Sequence, residues 1–302
     1  MNSSKLAAIA KPAEETVRHL QRQHDIAVAQ ATLKSIASGG VELVFQPICG
    51  VDDLGAVLYY ESLVRLRSGD GAHRLLPGRF IPSLERLSLM RHLDSIVVRK
   101  VIALLNAHPD YCLGVNVSAQ SVFNHGWWAP ILSYLEVRSD VAQRLVFEIT
   151  ETARLRGRKA HEFAARLQRL GCRIAIDDVG QGHGIETALM IGAPDIVKVA
   201  GPLLKAAYES GTVDAPFRPL MTLARARATN VVAEGVESAE LLEFARLSGV
   251  GWLQGLYVGE PKCLFGDDSQ HGAESAAAIA DGLGACGFPK DDDEWLVRSQ
   301  TS

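Results

Sequence analysis

The chain has 302 residues, of which 47% are hydrophobic and 22% charged, and this composition predicts a globular protein with one large or two small domains. Its formal net charge of −4 argues against a DNA or RNA duplex or a membrane surface as partner, although a local basic patch around a phosphate ligand is compatible with it. No apolar run approaches the ~18 residues of a transmembrane helix, and the N-terminus lacks the apolar core of a signal peptide. We therefore expect a cytoplasmic protein with reduced cysteines, since its five cysteines contain no CxxC pair.

The first predicted element is a helix over residues 11–40. Pro12 suits a first helical turn, Glu14 and Glu15 favour the N-terminal end of a helix, and two glycines at 39 and 40 end it. We expect residues 1–40 to form an N-terminal helix or linker.

After Gly40, short apolar runs alternate with amphipathic stretches. The eight predicted strands span residues 41–48, 57–66, 112–118, 144–150, 173–178, 195–200, 230–235 and 251–258. Helical patterns fill most of the gaps, for example at 158–171, 216–229 and 238–249. The first two strands are too close together for a crossover helix, which predicts that the first one is antiparallel.

Repeated βα units predict an α/β fold of the TIM-like (β/α)8 barrel type, with one antiparallel strand and the added N-terminal helix. The alternative is an open doubly wound sheet, but no GxGxxG follows the first strand. We assign residues 41–262 to the barrel domain. Residues 263–302 are expected to form an extension with a short helix near 273–283 and a mobile tail.

Polar residues occur near the C-terminal ends of strands that should be almost entirely apolar. They are Glu61, Asn116, Glu148, the pair Asp177 and Asp178, Lys198, Glu234 and Gln254. A lone carboxylate at such a place is ordinarily a helix cap or a solvated charge, but seven consecutive strands share this pattern. In a βα barrel these strand ends open onto one rim, which is where active sites lie.

Carboxylates gathered on one rim repel one another and would take up protons if they were buried without a counter-ion. Divalent cations remove this conflict, and a ligand set made only of oxygen and amide groups favours Mg²⁺ or Mn²⁺ over zinc. At a strand end, the adjacent Asp177 and Asp178 can diverge, so that one bridges two ions and the other holds the second. Such a pair of ions suits in-line displacement at phosphorus, with Lys198 positioning the attacking water.

These residues and their neighbours resemble the EAL-domain family of cyclic-di-GMP phosphodiesterases. The resemblance covers residues 40–262 and rests on motifs that occur here as "FQPI" (45–48), "ESLVR" (61–65), "VNVSAQS" (115–121), "FEITET" (147–152), "DDVGQG" (177–182), "DIVKV" (195–199), "AEGVES" (233–238) and "LQG" (253–255). The resemblance implies a metal-dependent phosphodiesterase that hydrolyses one phosphodiester bond of cyclic-di-GMP and releases linear 5′-pGpG. It also implies a homodimer.

The resemblance further implies a role for each matching residue. Glu61, Asn116, Glu148 and Asp177 would hold one ion, and Asp177 and Asp178 would hold the second. The catalytic residues would be Lys198, which positions the water, Glu234 and Gln254, which act close to the ions, and Glu151, which holds the glycine-rich loop. Gln46, Arg65 and Glu237 would belong to the substrate-binding site.

The chain also departs from the family pattern, which is usually "DDFGTGYSS" in the glycine-rich loop. Val179, Gln181 and His183 replace phenylalanine, threonine and tyrosine, and Ala200 replaces an aspartate. These changes leave every expected metal ligand in place but put the loop and the dimer contacts in question. The alternative function is therefore a cyclic-di-GMP receptor or protein-interaction regulator with weak catalysis and a regulatory protein partner.

Overall fold

A computed structural model describes residues 3–68, 73–122, 125–150, 158–180, 193–210 and 217–265. The chain divides into two compact units. The N-terminal unit contains residues 1–42 and 64–93, and the barrel unit contains residues 43–63 and 94–302. No helix among the described residues is long and apolar enough to cross a membrane.

The described chain alternates strands and helices. The strands are β1 (Val41–Gly50), β2 (Val57–Arg67), β3 (Arg74–Leu75), β4 (Leu113–Ser118), β5 (Leu145–Thr150), β6 (Arg173–Val179), β7 (Ile196–Val199), β8 (Asn230–Ala233) and β9 (Trp252–Leu253). The helices are α1 (Ser3–Ala37), α2 (Ile81–Arg86), α3 (Met90–Ala107), α4 (Ala119–Val122), α5 (His125–Val137), α6 (Ser139–Ala142), α7 (Arg158–Arg169), α8 (Gly201–Glu209), α9 (Phe217–Arg227) and α10 (Ala239–Leu247).

Eight of the strands close into a barrel. Their order is β1-β9-β8-β7-β6-β5-β4-β2, and β2 pairs back with β1. Neighbouring strands from β2 through β9 are parallel, whereas β1 is antiparallel to β9. The predicted TIM-like barrel with one antiparallel strand is therefore confirmed. The two-residue β3 is additional and pairs antiparallel with the end of β2.

The barrel interior contains an apolar layer that supports the polar strand ends. Six strands each contribute one buried side chain to it: Ile48, Tyr59, Val146, Ala175, Ile196 and Val232. Because side chains alternate across a strand, the residue two positions further along faces the same interior. On β2, β5, β6 and β7 that residue is Glu61, Glu148, Asp177 or Lys198, and directly after β8 it is Glu234.

Some element boundaries differ from the sequence prediction. Helix α1 begins at Ser3 instead of residue 11, and the leucine and alanines before Pro12 are good helix formers. The last strand was predicted to span residues 251–258 but ends at Leu253. The chain then turns, and Gly259 N–H donates to Gly255 O at 2.9 Å. The expected short helix and tail beyond residue 265 lie outside the described residues.

The N-terminal unit has an ionic contact of its own, between a buried carboxylate and an exposed arginine. Asp25 on α1 is 3% exposed, and its Oδ2 accepts from Arg86 Nε at 2.8 Å. Its Oδ1 accepts from Arg86 Nη2 at 2.7 Å, from Ser83 Oγ at 2.9 Å and from Gln21 Nε2 at 3.0 Å. This contact fastens α1 to α2, because Ser83 and Arg86 lie on α2.

Candidate active site

A layer of ionisable side chains lies directly above the apolar layer of the barrel. Lys198 and Glu148 are 0% exposed, and Glu61 and Asp177 are also buried. They come from four different strands, β7, β5, β2 and β6. Parallel strands that each place one inward residue at the same height produce this convergence.

Lys198 lies at the centre of this layer. Its Nζ lies 2.7 Å from Glu148 Oε2, 2.9 Å from Asp177 Oδ1, 2.9 Å from Glu234 Oε1 and 3.0 Å from Glu61 Oε2. One positive charge therefore faces four carboxylates. In the barrel interior this imbalance disfavours full ionisation of the carboxylates.

Three amide side chains complete the layer. Gln254 Nε2 donates to Glu61 Oε2 at 2.6 Å and to Gln46 Oε1 at 3.2 Å. Asn116 Nδ2 donates to Glu61 Oε1 at 2.7 Å. Gln46 in turn donates through Nε2 to Gly259 O at 3.0 Å. Both oxygens of Glu61 are thereby fixed in direction.

The pKa values of the carboxylates move apart. Burial, and next the Glu61 carboxylate, raise the pKa of Glu148 well above its usual range. Burial, and next Asp177, do the same to the pKa of Glu234. Burial also acts to raise the pKa of Glu61, but the charge of Lys198 and the amide hydrogen bonds outweigh it, so this pKa is lowered.

Lys198 stays charged in this environment. Burial alone would lower its pKa, but the charges of Asp177, Glu148, Glu234 and Glu61 together raise it well above the usual value. The lysine is therefore a fixed cation, and the layer around it carries excess negative charge.

A β-bulge explains the two adjacent aspartates. Ile176 pairs with Val197 and Val179 pairs with Val199, so that Asp177 and Asp178 together oppose the single residue between those partners. Asp178 has a φ of 57°, a left-handed conformation that is uncommon for residues other than glycine. Burial, and next Asp177, raise the pKa of Asp178. The bulge thus interrupts the regular alternation of side chains along β6 at Asp177 and Asp178.

Gly114 on β4 makes room for the cluster. A Cβ atom at this position would collide with Glu148 Oε1 and with the ring of Tyr59. Gly114 was not among the predicted site residues, although a glycine inside a buried strand is a signal of close approach by another group.

The cluster fits a cation. Carboxylate oxygens of Glu61, Glu148 and Asp177 all lie within 4.8 Å of one another, and no other such group of three occurs among the described residues. Glu148 Oε1 and Gln254 Oε1 are buried and accept no hydrogen bond within the described part of the chain. Buried oxygens of this kind, in an all-oxygen set with excess negative charge, suit a hard divalent ion.

The remaining predicted site residues are Glu237, Arg65 and Glu151. Glu237 is exposed in the loop before α10. Arg65 belongs to the N-terminal unit, where its Nη1 donates to Val64 O at 2.9 Å. Glu151, and the glycine-rich loop from Gln181 through His183 and Gly184, lie outside the described residues.

Fold and site together define a βα-barrel protein with an anionic centre at its strand ends, and a model of the EAL domain matches residues 29–261. The chain belongs to the EAL domain family. It is 29% identical over 244 residues to cyclic di-GMP phosphodiesterase PdeB of Shewanella oneidensis, covering 79% of this chain and 28% of that protein. It is 26% identical to cyclic di-GMP phosphodiesterase PdeF of Escherichia coli, covering 82% and 34%. The chain thus spans about a third of these relatives.

Solved structures support the same fold. An EAL domain protein from Listeria monocytogenes superimposes with a TM-score of 0.66 at 22% identity, covering 81% of this chain and 98% of that chain. The FimX EAL domain of Xanthomonas citri, solved in complex with c-diGMP, also gives a TM-score of 0.66, at 19% identity, with 82% and 97% covered.

Proposed function

We propose that this protein is a cyclic-di-GMP phosphodiesterase that hydrolyses its substrate to linear 5′-pGpG. The observation that carries the proposal is the buried cluster of Glu61, Glu148 and Asp177, whose oxygens lie within 4.8 Å of one another. Family membership and the names of the curated relatives supply the substrate class.

Two divalent ions, Mg²⁺ or Mn²⁺, would be held by Glu61, Asn116, Glu148, Asp177 and Asp178. The inclusion of Asp178 is supported by its pKa, on which the charges of Asp177, Lys198 and Glu61 all act. When bound, such ions lower the pKa of a water molecule and stabilise charge on the phosphoryl oxygens.

The other residues of the layer would orient the reactants. Lys198 would donate to the attacking water and keep it in line with the phosphorus, since its pKa keeps it protonated. Glu234 and Gln254 would accept from and donate to waters beside the ions. Glu151 would hold the glycine-rich loop, and Gln46, Arg65 and Glu237 would contact the nucleotide.

The remaining features of the proposal concern the whole chain. We assign residues 1–40 to a helix or linker, 41–262 to the barrel domain and 263–302 to an extension. A cytoplasmic homodimer that responds to a regulatory protein partner is the form we propose for the active molecule.

The test is incubation of the purified chain with cyclic-di-GMP and Mg²⁺ or Mn²⁺, followed by chromatography for pGpG. We expect product with at least one metal and no product from Glu61→Ala. The matched control is Glu243→Ala, which removes an exposed glutamate that pairs with Arg246 on α10. Full activity in Glu61→Ala would refute the metal assignment.

A second candidate function is a cyclic-di-GMP receptor with little turnover. It is favoured by Ala200, which stands at the N-terminal cap of α8 and makes no side-chain capping hydrogen bond. The family's usual aspartate would be able to make one. Tight binding of cyclic-di-GMP without pGpG in either metal would favour this reading over the phosphodiesterase.

A further inference from the structure

Among the described residues, the end of β4 pairs with a neighbouring strand on only one side. β4 pairs with β5 as far as Ser118↔Thr150, but its pairing with β2 ends at Val115↔Ser62. In a parallel sheet, alternate residues direct their backbone groups to opposite neighbours. Cys112 O accepts from Tyr60 N of β2 at 3.0 Å, so the even-numbered residues of this strand, including Ser118, face the β2 side.

A buried carboxylate takes the place of the missing strand. Asp94 on α3 is 3% exposed, and its Oδ2 accepts the backbone N–H of Ser118 at 2.9 Å. The same oxygen accepts from Ser121 Oγ at 2.6 Å. Hydrogen bonds to an ionised carboxylate are shorter and stronger than those between neutral groups. Asp94 therefore anchors the point where β4 passes into α4.

The anchor extends into the next helix. Ser121 O accepts from Trp128 Nε1 at 2.8 Å, and Ser118 Oγ accepts from Gln120 N at 3.2 Å. Ser118, Ser121 and Trp128 are all buried. Hydrogen bonds at Ser118 and Ser121, the two residues that donate to Asp94, thus fix the turn from β4 into α4.

The anchored strand end carries Asn116. Asn116 lies two residues before Ser118, on the unpaired side of β4, and its Nδ2 donates to Glu61 Oε1 at 2.7 Å. This bond joins β4 to β2 beside the carboxylate cluster, one residue beyond the last backbone pair of the two strands. The direction of the Asn116 side chain therefore depends on a backbone that Asp94 holds.

We propose that Asp94 is a positioning residue for the metal site, because it substitutes for β2 at the end of β4 and keeps Asn116 against Glu61. The inference rests on the proposed metal-binding function. Partners that orient metal ligands without touching the ion commonly change metal affinity by roughly 10–100-fold when removed.

Asn106 provides a matched control on the same helix. Its Nδ2 donates to Ile102 O at 3.0 Å and to Tyr134 Oη at 2.6 Å. Loss of this side chain removes a similar number of hydrogen bonds from α3, but none of them involves β4. Asn106→Ala should lower stability without changing the metal site.

The experiment measures Mn²⁺ binding by titration calorimetry on the full chain, well below the unfolding temperature. We expect Asp94→Ala to bind Mn²⁺ about tenfold more weakly than the unmodified chain. Asp94→Asn, which keeps the size and one acceptor oxygen, should fall between the two, and Asn106→Ala should match the unmodified chain. If Asp94→Ala does not fold, the Mn²⁺ affinity of Asp94→Asn alone tests whether Asp94 positions the metal site.

Two failures are distinguishable. If Asp94→Asn, and Asp94→Ala where it folds, bind Mn²⁺ as tightly as Asn106→Ala, the positioning role is wrong while the metal site stands. If the unmodified chain takes up no Mn²⁺, the proposed function itself is wrong.

Discussion

The protein contains two ionic clusters with buried carboxylates, and they differ in charge balance. In the N-terminal unit, the Asp25 carboxylate faces the Arg86 guanidinium, and both of its oxygens accept hydrogen bonds. In the barrel unit, the Lys198 ammonium faces four carboxylates, and the buried Glu148 Oε1 accepts no hydrogen bond from any described residue. The first cluster is complete as it stands, whereas the second has excess negative charge.

This difference separates a structural role from a functional one. A satisfied ion pair holds two helices together and needs nothing further. A cluster of like charges opposes folding unless a cation or protons join it, and such clusters persist where binding or catalysis requires them. The two clusters should therefore respond in opposite ways to the same kind of substitution.

The largest expected effect is on turnover, and it follows from removing the cation of the barrel cluster, Lys198. Lys198→Ala should lower kcat by at least about a hundredfold while changing the affinity for cyclic-di-GMP much less, because the lysine would act on the attacking water. Steady-state kinetics and equilibrium binding separate the two quantities. Arg86→Ala is the control and should retain kcat. A loss of affinity alone in Lys198→Ala would contradict its assigned role.

The next largest effect is on the free energy of unfolding, and it concerns Glu148 in the barrel cluster, which has excess negative charge. Glu148→Gln should raise the free energy of unfolding of the chelator-treated protein by ~1–2 kcal/mol, because burial and Glu61 already favour the uncharged form of this group. Urea denaturation measures this change. The substitution should also weaken Mn²⁺ binding. A clear loss of stability in Glu148→Gln would show that the cluster is balanced in the folded protein.

The smallest effect is on the stability that the Asp25–Arg86 contact contributes, and it depends on pH. The side-chain hydrogen bond from Arg86 holds the pKa of Asp25 well below its usual value of 3.8. A lowered pKa in the folded state stabilises the protein above the unfolded-state pKa, and this contribution is lost as the pH falls towards the folded-state pKa. Asp25→Asn should therefore lower the urea midpoint at pH 7 and lower it less below about pH 4. A difference that is constant with pH would contradict this.

Much of the barrel site can be read from the sequence. Each strand has an apolar run with one polar residue near its end, and alternation along a strand places that residue above the apolar layer. The positions of Glu61, Glu148 and Lys198 in one layer follow from this pattern and from the parallel βα repeat.

Other features depend on contacts between distant segments. The adjacent Asp177 and Asp178 indicate an irregular strand end, but the bulge itself is a pairing irregularity between β6 and β7 that the sequence does not show. Gly114 is required by the ring of Tyr59 and by Glu148, which come from other strands. Asp94 lies close to the buried Leu93, Val97 and Val98 on α3, and the sequence does not show that its partners come from the end of β4.

The central claim is that the barrel carboxylates tolerate one another by binding divalent ions. Titration calorimetry of the full chain with Mn²⁺, compared with Glu61→Ala and with Asp25→Asn, tests it most directly. The claim predicts saturable uptake by the unmodified chain and by Asp25→Asn, and loss of that uptake in Glu61→Ala. Absence of uptake by the unmodified chain, with cyclic-di-GMP present or absent, would contradict it.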